Sequence, residues 1–181
     1  KFTVNVFTGA STAPELDGTL ASVDGIGWRM PYQSDPQMRS KINDGTSFYT
    51  DIHLSQSGMM VRQGFFGKVD FAVIEATRIT ADGDVVLTSS VGNNAVYCDT
   101  AEKVIIEVNS WQSDDLEGMH DIYGGFALPP NRVPIPITHP GDRIGDKFLH
   151  IPQDKVAAII ETDGPDRNTP FKPIDDDSRK I

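Results

Sequence analysis

Three short polar stretches hold the residue types that can grip a carboxylate or approach an acyl group: Thr8-Gly9-Ala10-Ser11-Thr12, Pro31-Tyr32-Gln33-Ser34-Asp35 and Asp163-Gly164-Pro165-Asp166-Arg167. In the first, small residues such as Gly9 let a substrate come close to the backbone. The helix expected next, over residues 15–23, presents free N–H groups and a positive field at its start, which suits a carboxylate or a thioester oxygen. An ordinary strand-to-helix turn capped by Ser11 or Thr12 accounts for the same residues. Ser34 stands before a second helix, residues 37–42, and reads equally as its N-cap. Arg167 can hold a carboxylate or phosphate bidentately, or pair with its neighbours Asp163 and Asp166. Two glutamates are possible acid/base groups. Glu75 sits at a strand end, whereas Glu107 lies inside a strand, where pairing with Arg or Lys is the commoner use.

The elements that must place these groups alternate between strand and helix. Strands are expected at residues 3–7, 28–32, 47–50, 69–74, 104–108 and 156–162; helices at 15–23, 37–42, 54–63 and 96–102. Leu54, Met59 and Val61 are the inward candidates on the third helix. Asp82-Gly83 marks a hairpin turn, and Asn43-Asp44-Gly45 a helix stop. Such alternation argues for an α/β fold with a largely parallel sheet covered on both faces. Val104-Ile105-Ile106 is the continuous apolar run of a strand buried on both sides. Ligands of open α/β sheets bind beyond the carboxyl ends of the strands. Polar residues after three separate strands would therefore meet along one sheet edge. Between residues 121 and 152 the five prolines 129, 130, 134, 136 and 140 exclude an interior helix and most ladder positions, leaving a loop-rich excursion.

Composition narrows the function classes. With 181 residues the chain is one domain long, and its net charge of −10 disfavours nucleic acid and anionic membranes as partners. No apolar run approaches the ~20 residues of a membrane helix. The single cysteine, Cys98, excludes an internal disulfide and fits a reducing compartment; its apolar neighbours suggest a buried hydrophobe rather than a reactive thiol. His53, His120, His139 and His150 lack the spacing of a helical metal-ligand pair. Ser89-Ser90-Val91-Gly92-Asn93-Asn94 has the composition of a phosphate-cradling turn but neither the glycine spacing nor the lysine of a P-loop; it reads as a strand-to-helix connection. Trp28 and Phe65-Phe66 are candidates for a docking surface or for core packing. Both ends look cut: the chain opens at Lys1 directly on an apolar strand and stops after Asp175-Asp176-Asp177, where a helix would begin.

Many of these segments, in this order, resemble the acetyl-CoA hydrolase/transferase family of class I coenzyme A transferases. The matching residues include Thr8 to Thr12, Leu16-Asp17-Gly18, Pro31 to Asp35, Ile74-Glu75-Ala76-Thr77, Ser89-Ser90-Val91-Gly92-Asn93, Lys103 to Asn109, Gly118-Met119-His120-Asp121, Asp142-Arg143-Ile144-Gly145 and Lys155 to Thr162. The resemblance implies a three-layer α/β/α sandwich and places residues 1–181 in the N-terminal of two such domains. It implies transfer of CoA from acetyl- or succinyl-CoA to a small carboxylate, or acyl-CoA hydrolysis, through a glutamyl-CoA thioester whose glutamate belongs to the second domain. A non-catalytic α/β module binding a phosphorylated ligand is the alternative. Carried over by position, Ser11 with Gly9, Ser34 and Arg167 are the substrate-binding residues, and His120 braces a loop. No catalytic residue falls within the chain, so it should be inactive alone. No metal or organic cofactor is expected, the CoA thioester entering as substrate. The implied partners are acyl-CoA, a small carboxylate, the second domain and a second copy in a homodimer. The implied location is the cytoplasm, or the mitochondrial matrix in a eukaryote.

Overall fold

Val4, Val6 and Phe7 favour an extended chain, and the first strand, β1 (Val4–Ser11), runs on through the small residues that follow them. The computed structural model describes residues 2–124, 128–167 and 172–180. β2 (Ile26–Gln33) and β3 (Phe48–Tyr49) complete a three-stranded parallel sheet of order β1-β2-β3. Helices α1 (Asp17–Ser22) and α2 (Pro36–Asn43) connect its strands and bury Leu20, Ala21, Met38 and Ile42 against Val6 and Ile26. Neighbouring strand residues point to opposite faces, so Phe7 looks away from that layer. There it meets Trp28 with ring centroids 5.2 Å apart and Phe66 at 5.5 Å. Phe66 follows α3 (Leu54–Arg62), so helical elements cover both faces of this sheet. Trp28 and Phe66 are thus packing residues, and Phe65 is the exposed one.

The second sheet has the order β5-β4-β6-β7, built from β4 (Phe71–Ile79), β5 (Val85–Leu87), β6 (Lys103–Asn109) and β7 (Val156–Thr162). β4, β6 and β7 are parallel; β5 returns antiparallel through the expected turn, where Gly83 takes φ +90°. Helix α4 (Asn94–Thr100) lies on one face, and Ala72, Ile74, Ala76, Val85, Leu87, Val104 and Ile106 form the main core with Cys98, Ile122 and Leu149. Burial pushes the Cys98 thiol up to about 12, the behaviour of a packing residue rather than a nucleophile. The other face leaves Phe71 and Val73 exposed. The α/β class with mostly parallel strands is as the sequence indicates, but the strands form two sheets, not a continuous one.

Several local expectations need correction. Residues 8–11 are strand rather than loop, and neither Ser11 nor Thr12 caps α1, whose N-cap position is Leu16 with no side-chain bond. Asp35, not Ser34, caps α2, accepting from Met38 N at 2.9 Å. A carboxylate bonds a free N–H more strongly than a hydroxyl does and complements the helix dipole. Leu54 is exposed at the start of α3, while Ser57, Gly58 and Val61 face inward. The proline-rich excursion is irregular among its described residues, apart from the isolated bridges Ile122–Asp146 and Val85–Leu149.

Candidate functional site

Two polar corners form where strands end. The first joins the ends of β1 and β2. Ala10 lies beside Tyr32 and Ser11 beside Gln33, and Ser34 N donates to Ser11 O at 3.1 Å. Ser11 and Ser34 therefore share one edge, and neither hydroxyl makes a hydrogen bond to a described residue. At Gly9, on the same strand end, an added Cβ would meet nothing within 4 Å, so the backbone there is open to approach. Gln33, also at this edge, is buried, and its Oε1 has no hydrogen-bond partner among the described residues. An unsatisfied buried acceptor carries a desolvation cost of about 1–3 kcal/mol.

Beneath this corner lies an ion pair that spacing alone does not reveal. Arg29 and Asp17 are both fully buried; Arg29 Nε donates to Asp17 Oδ1 at 2.6 Å and Nη2 to Oδ2 at 3.1 Å. The guanidinium also donates to the carbonyls of Met30 and Tyr32, the latter at 3.1 Å. Every partner it needs is thus present, the condition under which a buried pair is tolerated. The pair fixes the start of α1 to the middle of β2, and the bond to Tyr32 O carries that hold toward the corner. Gly18 belongs to the same frame: a Cβ there would stand 2.7 Å from the Asp35 carboxylate that caps α2.

The second corner gathers around Glu75 on β4. Thr88 Oγ1 donates to Glu75 Oε2 at 3.0 Å, and Asn109 Nδ2 donates to Oε1 at 2.6 Å. The same Asn109 amide donates to Gly164 O at 2.7 Å. Gln112 Nε2 donates to Asp166 Oδ1 at 2.7 Å, and Ser89 Oγ to Asp166 Oδ2 at 3.3 Å. Thr88, Asn109 and Gln112 are buried. The His120 ring nitrogen Nε2 donates to Thr88 O at 2.6 Å, which requires the proton on Nε2, and is the bracing contact expected of it. Glu107 accepts from Thr162 Oγ1 at 2.9 Å rather than from a cation. Glu75 is therefore enclosed by donors and does not face an open space as a free base would.

The segment after β7 links the corners. Arg167 Nε pairs with Glu15 Oε1 at 2.9 Å, not with Asp163 or Asp166. Glu15 lies in the turn between β1 and α1, four residues beyond Ser11 in the chain, so the pair ties the segment after β7 to that turn. Both side chains of the pair are more than half exposed, and such a pair is worth little and exchanges readily. The guanidinium is thus engaged by a carboxylate of the chain itself. The backbone bond brings Ser11 and Ser34 to one edge, with Gly9 on the same strand end, while Arg167 is joined to Glu15 in the turn between β1 and α1. Gln33, Gln112 and the Asp17–Arg29 pair were not singled out from the sequence; only the polar strand ends, Glu75 and Asn109, gave a signal.

A family model described as the acetyl-CoA hydrolase/transferase N-terminal domain matches residues 1–161. The chain is 40% identical over its whole length to a succinyl-CoA:acetate CoA-transferase of Clostridium kluyveri, covering 34% of that protein. It is 40% identical over 91% of its length to a propanoyl-CoA:succinate CoA transferase of Escherichia coli, covering 33% of it. Against an acetyl-CoA hydrolase of Eremothecium gossypii the identity is 37% over 98% of the chain and 35% of the relative. The chain spans about one third of the length of these relatives. Among solved structures, a 4-hydroxybutyrate CoA-transferase from Porphyromonas gingivalis aligns with a TM-score of 0.49 at 19% identity, over 89% of this chain and 37% of that one.

Proposed function

Since the chain belongs to the acetyl-CoA hydrolase/transferase family, as its N-terminal domain, we propose that it forms one wall of the cleft in which the full-length protein moves CoA from an acyl-CoA to a small carboxylate. Relatives named for succinyl-CoA:acetate and propanoyl-CoA:succinate transfer supply the substrate class. In the reaction the resemblance implies, a glutamate carboxylate outside residues 1–181 attacks the thioester carbonyl and expels the CoA thiolate, forming a mixed anhydride. The thiolate then attacks the glutamyl carbonyl of the anhydride and releases the first carboxylate, leaving a glutamyl-CoA thioester. An acceptor carboxylate reverses the two steps. Both the departing and the arriving carboxylate carry negative charge and need donors.

This chain's share is to hold that carboxylate. The observation that carries the reading is the Arg167 guanidinium bonded to a carboxylate, that of Glu15, in the turn that leads from the Ser11 end of β1 into α1. A small acid can take the place of Glu15 on the guanidinium, with the Ser11 and Ser34 hydroxyls as further donors and the open backbone at Gly9 leaving room. Hydrolysis follows if water replaces the acceptor, and the hydrolase names of other relatives favour keeping that variant. The second domain and a second copy of the chain, in a homodimer, are the proposed protein partners.

The test is kinetic, on the full-length protein. Ser11→Ala and Arg167→Ala are expected to lower kcat/KM for the acceptor carboxylate, Arg167→Ala by roughly 10- to 100-fold, the worth of one charge-assisted hydrogen bond. Unchanged kinetics in both variants removes them from the site.

A further inference from the structure

The second corner does not touch the place assigned to the substrate, yet its side chains converge on the one segment that brings Arg167 there. Asn109 joins Glu75 Oε1 at 2.6 Å to the backbone carbonyl of Gly164 at 2.7 Å. Gln112 joins the corner to Asp166, the residue before Arg167, at 2.7 Å, and also reaches Glu75 Oε1 at 3.5 Å. Ser89 holds the other oxygen of Asp166 at 3.3 Å. Asn109 and Gln112 are 3% and 8% exposed, so these bonds form away from competing water. Residues 163–167 themselves are largely exposed and belong to no helix or strand. Two of the side chains that hold the segment to the body are these buried amides, beside the Ser89 hydroxyl and the Arg167 pair with Glu15. We propose that Asn109 and Gln112, anchored by Glu75, are positioning residues: they latch the 163–167 segment so that Arg167 meets the carboxylate substrate at the ends of β1 and β2.

The chemistry of the amides suits the task. One asparagine NH2 group has two donors; here one goes to a carboxylate on β4 and the other to the exposed segment, at the carbonyl of Gly164. Asn109 Oδ1 accepts from Trp111 N at 3.1 Å, which sets the direction of the amide. Aspartate at this position would lose both donors and set a second carboxylate against Glu75. A misplacement of a binding group by about 1 Å costs on the order of 100-fold in rate, so a latch outside the cleft has a large lever on it.

The proposal rests on the carboxylate-binding role of Arg167, and the experiment separates the two. In the full-length protein, Asn109→Ala and Gln112→Leu are examined by backbone hydrogen exchange and by steady-state kinetics, alone and combined with Arg167→Ala. Exchange at residues 163–167 is expected to speed up at least about tenfold while the β6 amides stay protected. KM for the acceptor carboxylate is expected to rise with the response to acyl-CoA concentration little changed. Each double variant should be no worse than Arg167→Ala alone, because the latch acts only through Arg167. If Asn109→Ala fails to fold, Gln112→Leu carries the test, since it keeps the Asn109 to Glu75 bond. Unchanged exchange at 163–167, or effects that simply add to those of Arg167→Ala, overturn the proposal while leaving Arg167 in place. An Arg167→Ala variant with unaltered acceptor KM overturns the underlying reading, and the proposal falls with it.

Discussion

The two polar corners are built from similar residues and differ in how their hydrogen-bonding capacity is used. Around Glu75, donors and acceptors from β4, Thr88, β6 and the segment after β7 satisfy one another. At the ends of β1 and β2, the contact between strands is made by backbone; among the described residues the Ser11 and Ser34 hydroxyls are uncommitted and the buried Gln33 Oε1 has no partner. A corner whose polar groups are spent on each other is scaffold; a corner that keeps them unspent at a structural cost is where a ligand or another part of the protein can be met. The contrast also explains why a glutamate at a strand end, the more conspicuous acid/base candidate, is the less suitable one here.

The sharpest way to break the comparison is to remove what holds the open corner in place. Arg29→Met leaves the Asp17 carboxylate buried without a partner, and breaking such a pair costs about 3–5 kcal/mol. Asp17→Asn should cost less, because the amide oxygen still accepts from the guanidinium. Joint replacement of Asp17 and Arg29 by apolar residues of similar volume should recover much of the loss, since the isolated charge is then gone. Chemical denaturation of the full-length protein measures all three. An Arg29→Met variant as stable as the parent would show that the frame under Ser11 and Ser34 does not depend on the pair.

The next test weighs one polar group from each corner. Thr88→Val removes a donor from the half-buried Glu75 carboxylate and should cost about 1–2 kcal/mol, because one of its oxygens is left short of a partner. Gln33→Leu removes an acceptor that has no partner to lose, so its stability should stay within about 0.5 kcal/mol of the parent. Equal losses at both sites in the same denaturation assay would mean that the Gln33 oxygen is satisfied in the full-length protein and that the corners do not differ as described.

How much of this was legible in the chain depends on the range of the interaction. β7 runs over the expected residues, and the hairpin at Asp82-Gly83 is as read, because β-branched runs and turn chemistry act locally. The start of α1 was not legible: Ala10 and Ser11 pair with β2 beyond an irregularity at Thr8 and Gly9, and this pairing overrides the turn-like composition of a small-residue run. Nor was the Asp17–Arg29 pair, which joins residues twelve positions apart through a fold-dependent contact. Ser11, Ser34 and Arg167 came from a resemblance rather than from spacing. That Ser11 and Ser34 share an edge follows from parallel strands ending on one side, a rule of the fold class, whereas Arg167 follows a strand of the other sheet and reaches only the turn after β1, through Glu15. The enclosure of Glu75 needed four separate segments to meet, and no local pattern encodes that.

The smallest expected effect comes from a contact at the tip of the β4–β5 hairpin. His150 Nδ1 lies 2.6 Å from Asp84 Oδ1 and its Nε2 3.4 Å from Asp146 Oδ2. The hydrogen bond to Asp84, with Asp146 assisting, raises the imidazole above its ordinary value of 6.5. A histidine held above its unfolded value stabilises the fold fully at pH below that value, and the contribution fades as pH rises through the raised folded value. Stability should therefore decline slightly from about pH 6 upward, by a few tenths of a kcal/mol, because the ring is over half exposed and water screens the pair. His150→Gln should abolish this slope while leaving the hydrogen exchange of residues 163–167 unaltered, since Val85 and Leu149 keep their backbone bonds at 2.9 and 3.0 Å. Ring titration by NMR with denaturation at two pH values measures it. A response at 163–167 would show that the hairpin tip and the Glu75 corner move as one body, and the scaffold corner would then be as adjustable as the open one.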